Sequence, residues 1–184
     1  MKGRGLHRQL VATFLALLLI FMLSVGLVVR HYFRQFYIEE LSTSLAREGC
    51  FLGEILREKM GHPGDYTLNE FVQSAARDLK ARVTVIAPGG KVLADSQEAA
   101  SAMENHRDRP EVQDAVNKGQ GMSLRYSSTL RTEMMYVALP VSAEDGSITG
   151  FVRLAVPLTQ IVLALRRFWV LLLSTMIVAV LVSS

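Results

Sequence analysis

Cysteine is almost missing from this chain: Cys50 stands alone, so no disulfide can form within one copy and any domain outside a membrane must rest on its own apolar core. A bridge between the Cys50 residues of two copies is the only pairing left open. The signatures of catalysis are missing too. There is no Walker A run, no Gly-x-Ser-x-Gly elbow and no His-Glu-x-x-His. The glycines of Pro88-Gly89-Gly90 fall in a turn between two strand-like runs, not at a helix start, so they cradle no nucleotide. No enzyme activity and no cofactor are expected of this chain. Of the histidines His7, His31, His62 and His106, only His106 has carboxylates close by in sequence, Glu104 and Asp108. Such a trio more often caps and solvates a loop than binds a metal, and no metal site is expected. The net charge is only +3, and residues 30–167 carry equal numbers of basic and acidic side chains, so the basic face that nucleic acid would need is lacking.

Charge is also missing from two long runs, and this sets the class. Half of the residues are hydrophobic and the mean hydropathy is +0.26, high for a wholly soluble domain. No charged residue occurs from Leu10 to Val29, about 30 Å as a helix and enough to cross a bilayer. A second uncharged run, residues 168–184, gives roughly 25 Å. The reading is a cytoplasmic tail over residues 1–9, a first transmembrane helix over 10–29, an extracytoplasmic domain over 30–167 and a second, truncated span over 168–184. Lys2, Arg4 and Arg8 precede the first span with no acid among them, which favours a cytoplasmic N-terminus. Arg30, Arg34, Arg166 and Arg167 at the span ends can snorkel to the interface, where Phe168 and Trp169 also fit. A cleaved signal peptide ending near Ser24-Val25-Gly26 is the alternative, but the apolar core is longer than such signals use and runs on past that site. The second span leads to the expectation that a cytoplasmic output follows in a longer polypeptide.

Between the spans the patterning changes period. Residues 83–87 and 91–94 are β-rich runs around Pro88-Gly89-Gly90, a hairpin. Residues 122–127, 134–141 and 148–156 read as three more strands, parted by short polar connectors at Ser128-Thr129 and Glu144-Asp145-Gly146. Residues 30–60 lack proline and read as a helix continuing out of the first span. Its Leu41, Leu45, Leu52 and Ile55 recur at heptad-like spacing, which suits either a seam between two parallel copies or packing on the domain's own sheet. Gly61-His62-Pro63-Gly64 ends it, and Thr67-Leu68-Asn69-Glu70 looks like a capping box opening a second helix to Leu79. After a polar loop over 95–109, a short helix is expected from about Pro110 to Lys118, with Asp108 and Glu111 as a second capping box and Gly119 as its stop. The fold class is therefore α+β, a five-stranded antiparallel sheet with helices on a face, a long N-terminal helix and a transmembrane helix on either side.

Along residues 122–127, Met122, Leu124 and Tyr126 alternate with Ser123, Arg125 and Ser127, so Arg125 and the serines share one face. Where that strand meets the 103–109 loop, His106, Arg107, Arg109, Arg125, Tyr126, Ser127 and Arg131 are candidates for a site that takes a small anion by charge-assisted bonds. The competing expectation is that these arginines pair with Glu104, Asp108, Glu111 and Glu133 on a solvated surface.

Element order together with particular residues resembles the extracytoplasmic, PAS-like (PDC-type) sensor region of bacterial membrane histidine kinases, especially the phosphate-regulon, PhoR-like type. The resemblance spans essentially the whole chain. It rests on Arg82-Val-Thr-Val-Ile-Ala-Pro-Gly-Gly-Lys-Val-Leu-Ala-Asp-Ser96, Arg125-Tyr-Ser127, Tyr136-Val-Ala-Leu-Pro-Val141 and Gly150-Phe-Val-Arg-Leu-Ala-Val-Pro-Leu158, and most specifically on Met103-Glu-Asn-His-Arg-Asp-Arg-Pro-Glu-Val112. It implies the signal-input region of a two-component receptor in the bacterial inner membrane, a parallel homodimer working on a kinase in cis. The HAMP linker, phosphoacceptor helix pair and ATP-binding domain of those kinases have no counterpart in the sequence, so kinase activity does not carry over. The resemblance supplies no ligand. The alternative function is a membrane-anchored assembly protein with a PAS-like head, or the sensor head of a chemoreceptor or cyclase.

Overall fold

The computed structural model describes residues 3–61, 68–127 and 131–183. They form two compact units: Glu39–Leu158, and Met1–Ile38 together with Thr159–Ser184. The second unit holds the start of α1 (Gly3–Gly61) and α4 (Thr159–Ser183), where Phe14, Phe21 and Leu171 are about two-thirds exposed. Such surface is stable only against lipid or protein. Among the described residues one segment, Ala16–Arg57 within α1, is long and apolar enough to cross a membrane. The α1 and α4 segments touch at Gly26, where an added Cβ would lie 2.9 Å from the Trp169 ring.

The other unit is a globular head. After α1 come α2 (Leu68–Leu79), β1 (Arg82–Ile86), β2 (Val92–Asp95), α3 (Pro110–Lys118), β3 (Gly121–Ser127), β4 (Thr132–Ser142) and β5 (Ile148–Pro157). All strand pairs are antiparallel and the spatial order is β2-β1-β5-β4-β3. The five strands stand where the hydrophobic pattern put them, and three pairs of consecutive strands, β1–β2, β3–β4 and β4–β5, form hairpins. The insertion of β5 between β1 and β4 carries no local signal.

One face of the sheet is apolar throughout. Val83, Val85, Met135, Val137, Val152 and Leu154 are buried there, as are Leu45, Leu52 and Leu56 of α1. Each such side chain contributes about 1.5–3 kcal/mol on burial. Gly49 brings α1 close to that face, since a Cβ on it would sit 2.5 Å from Leu139 Cδ1. The stripe offered as a seam between copies is thereby split. Leu45 and Leu52 lie in the chain's own core, whereas Leu41 and Ile55 are half-buried at its margin.

The opposite face is covered by α3, whose Val112 and Ala115 pack on Ile86, Ala138 and Phe151. Pro110 opens this helix, and Gly119 closes it in the left-handed conformation at φ 76°, with its N–H on the Ala115 carbonyl. The expected Asp108–Glu111 capping box does not form. Arg109 is the N-cap and makes no side-chain cap bond, because the Glu111 carboxylate is turned down into the sheet. Thr67, His62, Pro63, Gly64, Ser128 and Thr129 lie outside the described residues.

Candidate functional site

Beside the apolar cluster under α3, the same face of the sheet carries polar groups in a line across all five strands. Ser123 of β3 stands opposite Tyr136 of β4, Arg153 of β5 opposite both Ala138 and Thr84, and Thr84 of β1 opposite Asp95 of β2. Glu111 descends onto this line from the first turn of α3 and is fully buried. Ser123 Oγ donates to its Oε2 at 2.6 Å, Arg125 Nη2 to its Oε1 at 2.7 Å, and Arg153 Nη1 to the same Oε1 at 3.4 Å. Both guanidiniums lie over the Tyr136 ring, at 4.4 Å for Arg125 and 5.2 Å for Arg153, where the negative face of the ring favours a cation.

Toward β2 the line continues. Arg153 Nη2 donates to Thr84 Oγ1 at 3.3 Å, and that hydroxyl donates to Asp95 Oδ2 at 2.7 Å. Burial alone would raise the Asp95 carboxyl. Bonds from Arg82, Thr84 and the backbone N–H groups of Gln97 and Glu98 together hold it below its usual value. Burial likewise presses the Arg153 guanidinium downward, against the pull of the Glu111 carboxylate. An arginine so placed stays protonated. The site thus holds two guanidiniums against one buried carboxylate, and among the described residues the Nε atoms of Arg125 and Arg153 have no partner.

The 103–109 loop is clasped to the β1–β2 hairpin. Asn105 Nδ2 donates to the Gly89 carbonyl at 2.9 Å, and the His106 backbone N–H to the Gly90 carbonyl at 2.8 Å. Gly90, at φ 87°, has room for no side chain against Asn105. His106 is 4 % exposed, and its Nδ1 has no partner among the described residues. Burial and then the charges of Arg153 and Arg109 lower its pKa below the usual 6.5. The folded head therefore binds fewer protons than the unfolded chain just below pH 6.5, and stability is lost as pH falls through that window. Thermal midpoints should drop between pH 7 and 5, and His106→Asn should flatten the drop. An equal fall in the variant would remove His106 as the cause. Asp95 acts only at lower pH, because its stabilisation fades as the carboxyl protonates below its usual 3.8.

Of the residues expected to form a site, Arg125 lies in it, His106 sits close enough to feel Arg153, and Arg109 stands half-exposed with Nη2 3.6 Å from Glu104. Arg107 is exposed, its backbone N–H bonded to Asn105 Oδ1. Tyr126 is 66 % exposed and alternates to the other face of β3 from Arg125, while Ser127 ends that strand. Arg131, at φ 50°, lies in the β3–β4 connection. Glu111, Arg153, Tyr136 and Thr84 escaped the sequence reading as site residues. Arg153 left one signal, a single charge inside the otherwise apolar run Gly150-Phe-Val-Arg-Leu-Ala-Val156. Among the described residues no three His, Cys, Asp or Glu side chains group to hold a metal ion.

A sheet in this order, covered by a long helix on one side and by a loop and short helix over a polar site on the other, can be compared with known sensor heads. Residues 35–157 match the single-Cache-like family model. The chain belongs to the single-Cache-like family. No curated protein matches the chain in sequence. Among solved structures, the Cache head is similar to the sensor domain of E. coli DcuS, with a TM-score of 0.54 and 12 % identity over 68 % of this chain and 94 % of that one. The V. cholerae histidine kinase DctB sensor domain gives 0.52 and 14 %, over 71 % and 56 %. The sensory domain of the Campylobacter jejuni chemoreceptor Tlp3, with isoleucine bound, gives 0.54 and 12 %, over 88 % and 66 %. At such identities the likeness is one of fold. The Cache head thus shares its fold with the sensor domains of a histidine kinase and a chemoreceptor.

Proposed function

We propose that this Cache head is the input of a PhoR-like two-component receptor and that it senses a small anion at the Arg125–Arg153 pair. The observation that carries the reading is the two guanidiniums sharing one buried carboxylate, Arg153 buried with it and Arg125 half-buried, which leaves one positive charge to be met. His106 and Arg109 border that charge, and Arg107, Ser127 and Arg131 lie further out. Output follows from connectivity, since a single residue, Leu158, separates central strand β5 from α4, and its N–H is tied to the Glu133 carbonyl on β4. A shift of the sheet at the site is thereby passed to the helix that would re-enter the bilayer and drive a cytoplasmic kinase in cis. In this reading both chain ends are cytoplasmic, the head lies outside the inner membrane, and nucleic acid plays no part.

Thermal-shift screening of the full chain in nanodiscs against small carboxylates and inorganic phosphate tests the reading. An anion at about 100 times its dissociation constant adds about 2.7 kcal/mol, and Arg125→Ala should remove the gain. A panel without any shift that Arg125→Ala abolishes would end the anion role.

Two copies pair in parallel along α1 in this proposal, as shared membrane insertion requires. Phe51, 67 % exposed, and Ile55 border an apolar groove of about 530 Å³ between α1 and α2 that a second copy would cover. Leu41 lies on the same margin, and Cys50 is exposed beside it. A bismaleimide should therefore cross-link native Cys50 between copies in membranes, and Cys50→Ser should abolish the product. Failure of Cys50 to cross-link would move the pairing away from this side of α1.

A further inference from the structure

The anion site, if the reading above holds, already contains an anion. Glu111 presents a carboxylate to Ser123, Arg125 and Arg153, the donors that a free carboxylate would use, and it does so with no exposure to solvent. We propose that Glu111 is a tethered occupant, which an external anion replaces by exchange, releasing the first turn of α3.

Three features point to exchange over permanent structure. A buried ion pair contributes little net stability compared with apolar packing of the same volume, so stability alone does not account for a charged cluster at this place. It is also incomplete: among the described residues the Nε atoms of Arg125 and Arg153 and the Nδ1 of His106 are buried without partners, and the Glu111 carboxylate bonds to none of the three. An anion with a second acceptor group, such as a dicarboxylate or a phosphate, can satisfy donors that Glu111 leaves bare and bring the two guanidiniums to neutrality. Finally, the turn that carries Glu111 is lightly held at its start. Its N-cap Arg109 makes no side-chain cap bond, Pro110 has no N–H to give, and a nine-residue helix is not stable unaided. Beside the packing of Val112 and the bond from Gln113 Nε2 to the Arg107 carbonyl, this turn is held by the carboxylate bonds that the ligand would break.

Exchange makes Glu111 a competitor, and a competitor can be removed. If the open turn is a minor state populated at about 1–10 %, apparent affinity is lowered by that fraction. The full chain in nanodiscs should be titrated with sodium succinate and with sodium phosphate against sodium chloride at matched ionic strength, as wild type and as Glu111→Gln. The variant should bind at least one probe about tenfold or more tightly than wild type. In the wild-type chain that probe should speed, not slow, amide hydrogen exchange at residues 111–114. Equal or weaker binding by a folded Glu111→Gln chain, with the wild type binding, would overturn the tethered occupant and leave the anion reading intact. No binding by either chain would overturn both. If Glu111→Gln fails to fold, the exchange measurement on the wild type decides, and unchanged or slowed exchange in α3 sinks the proposal.

Discussion

Arg153→Met should destabilise the head by about 3 kcal/mol, read by pulse proteolysis in urea so that the globular unit is followed by itself. Methionine fills the volume of the arginine stem, so the cost is electrostatic and not a cavity. Removing one partner of a buried pair typically costs 3–5 kcal/mol, because the remaining charge is stranded away from water. Here the lower end applies, since Arg125 stays 2.7 Å from Glu111 and is itself 30 % exposed. Thr84 also loses the guanidinium donor on its hydroxyl. The double variant Glu111→Gln/Arg153→Met should be less destabilised than the sum of the two singles, with a coupling of about 0.5–3 kcal/mol. Strict additivity would mean that Arg153 is held by something other than Glu111, and the account of the polar line would fail.

The second large effect is expected at Gly121→Ala. A Cβ there would collide with the Glu111 carbonyl oxygen and come within 2.8 Å of the Ala115 amide nitrogen. Both obstacles are backbone and cannot rotate away as a side chain would, so α3 must lift from the start of β3. Overpacking of this kind costs about 1–3 kcal/mol and occasionally more, and a rigid obstacle places this change at or above the top of the range. Gly119→Ala, two residues earlier, provides the contrast. Its φ of 76° strains any other residue, but no atom lies within 4 Å of an added Cβ, so only about 1 kcal/mol is expected. Equal losses at the two glycines would show that chain conformation, not the closeness of α3 to β3, sets the cost at Gly121.

Much of the head was legible because its signals are local. Alternation fixes strands, Pro88-Gly89-Gly90 and Glu144-Asp145-Gly146 fix turns, and Pro110 with Gly119 brackets a helix. Alternation also separates Arg125 from Tyr126, so one strand could not aim both at the same ligand. The site itself was only half legible. Asp108 and Glu111 have the spacing of a capping box, yet two arginines and a serine from strands 12 to 42 residues away draw the Glu111 carboxylate downward. A local capping bond is worth about 1 kcal/mol, which cannot compete with leaving those guanidiniums buried and unpaired. Which strands neighbour one another decides that contest, and no short-range pattern records it.

The position of β5 also governs when the head can come into being. It is the last strand to be synthesised, yet it pairs with β1 on one side and β4 on the other. Until residues 148–157 have emerged, the nascent chain holds two separate hairpins, each with an edge meant for burial. At roughly 5–20 residues per second the β1–β2 hairpin waits several seconds for its partner. Completion of the sheet then depends on its last strand alone, so the two hairpins are joined in one step once residues 148–157 are free to pair with both.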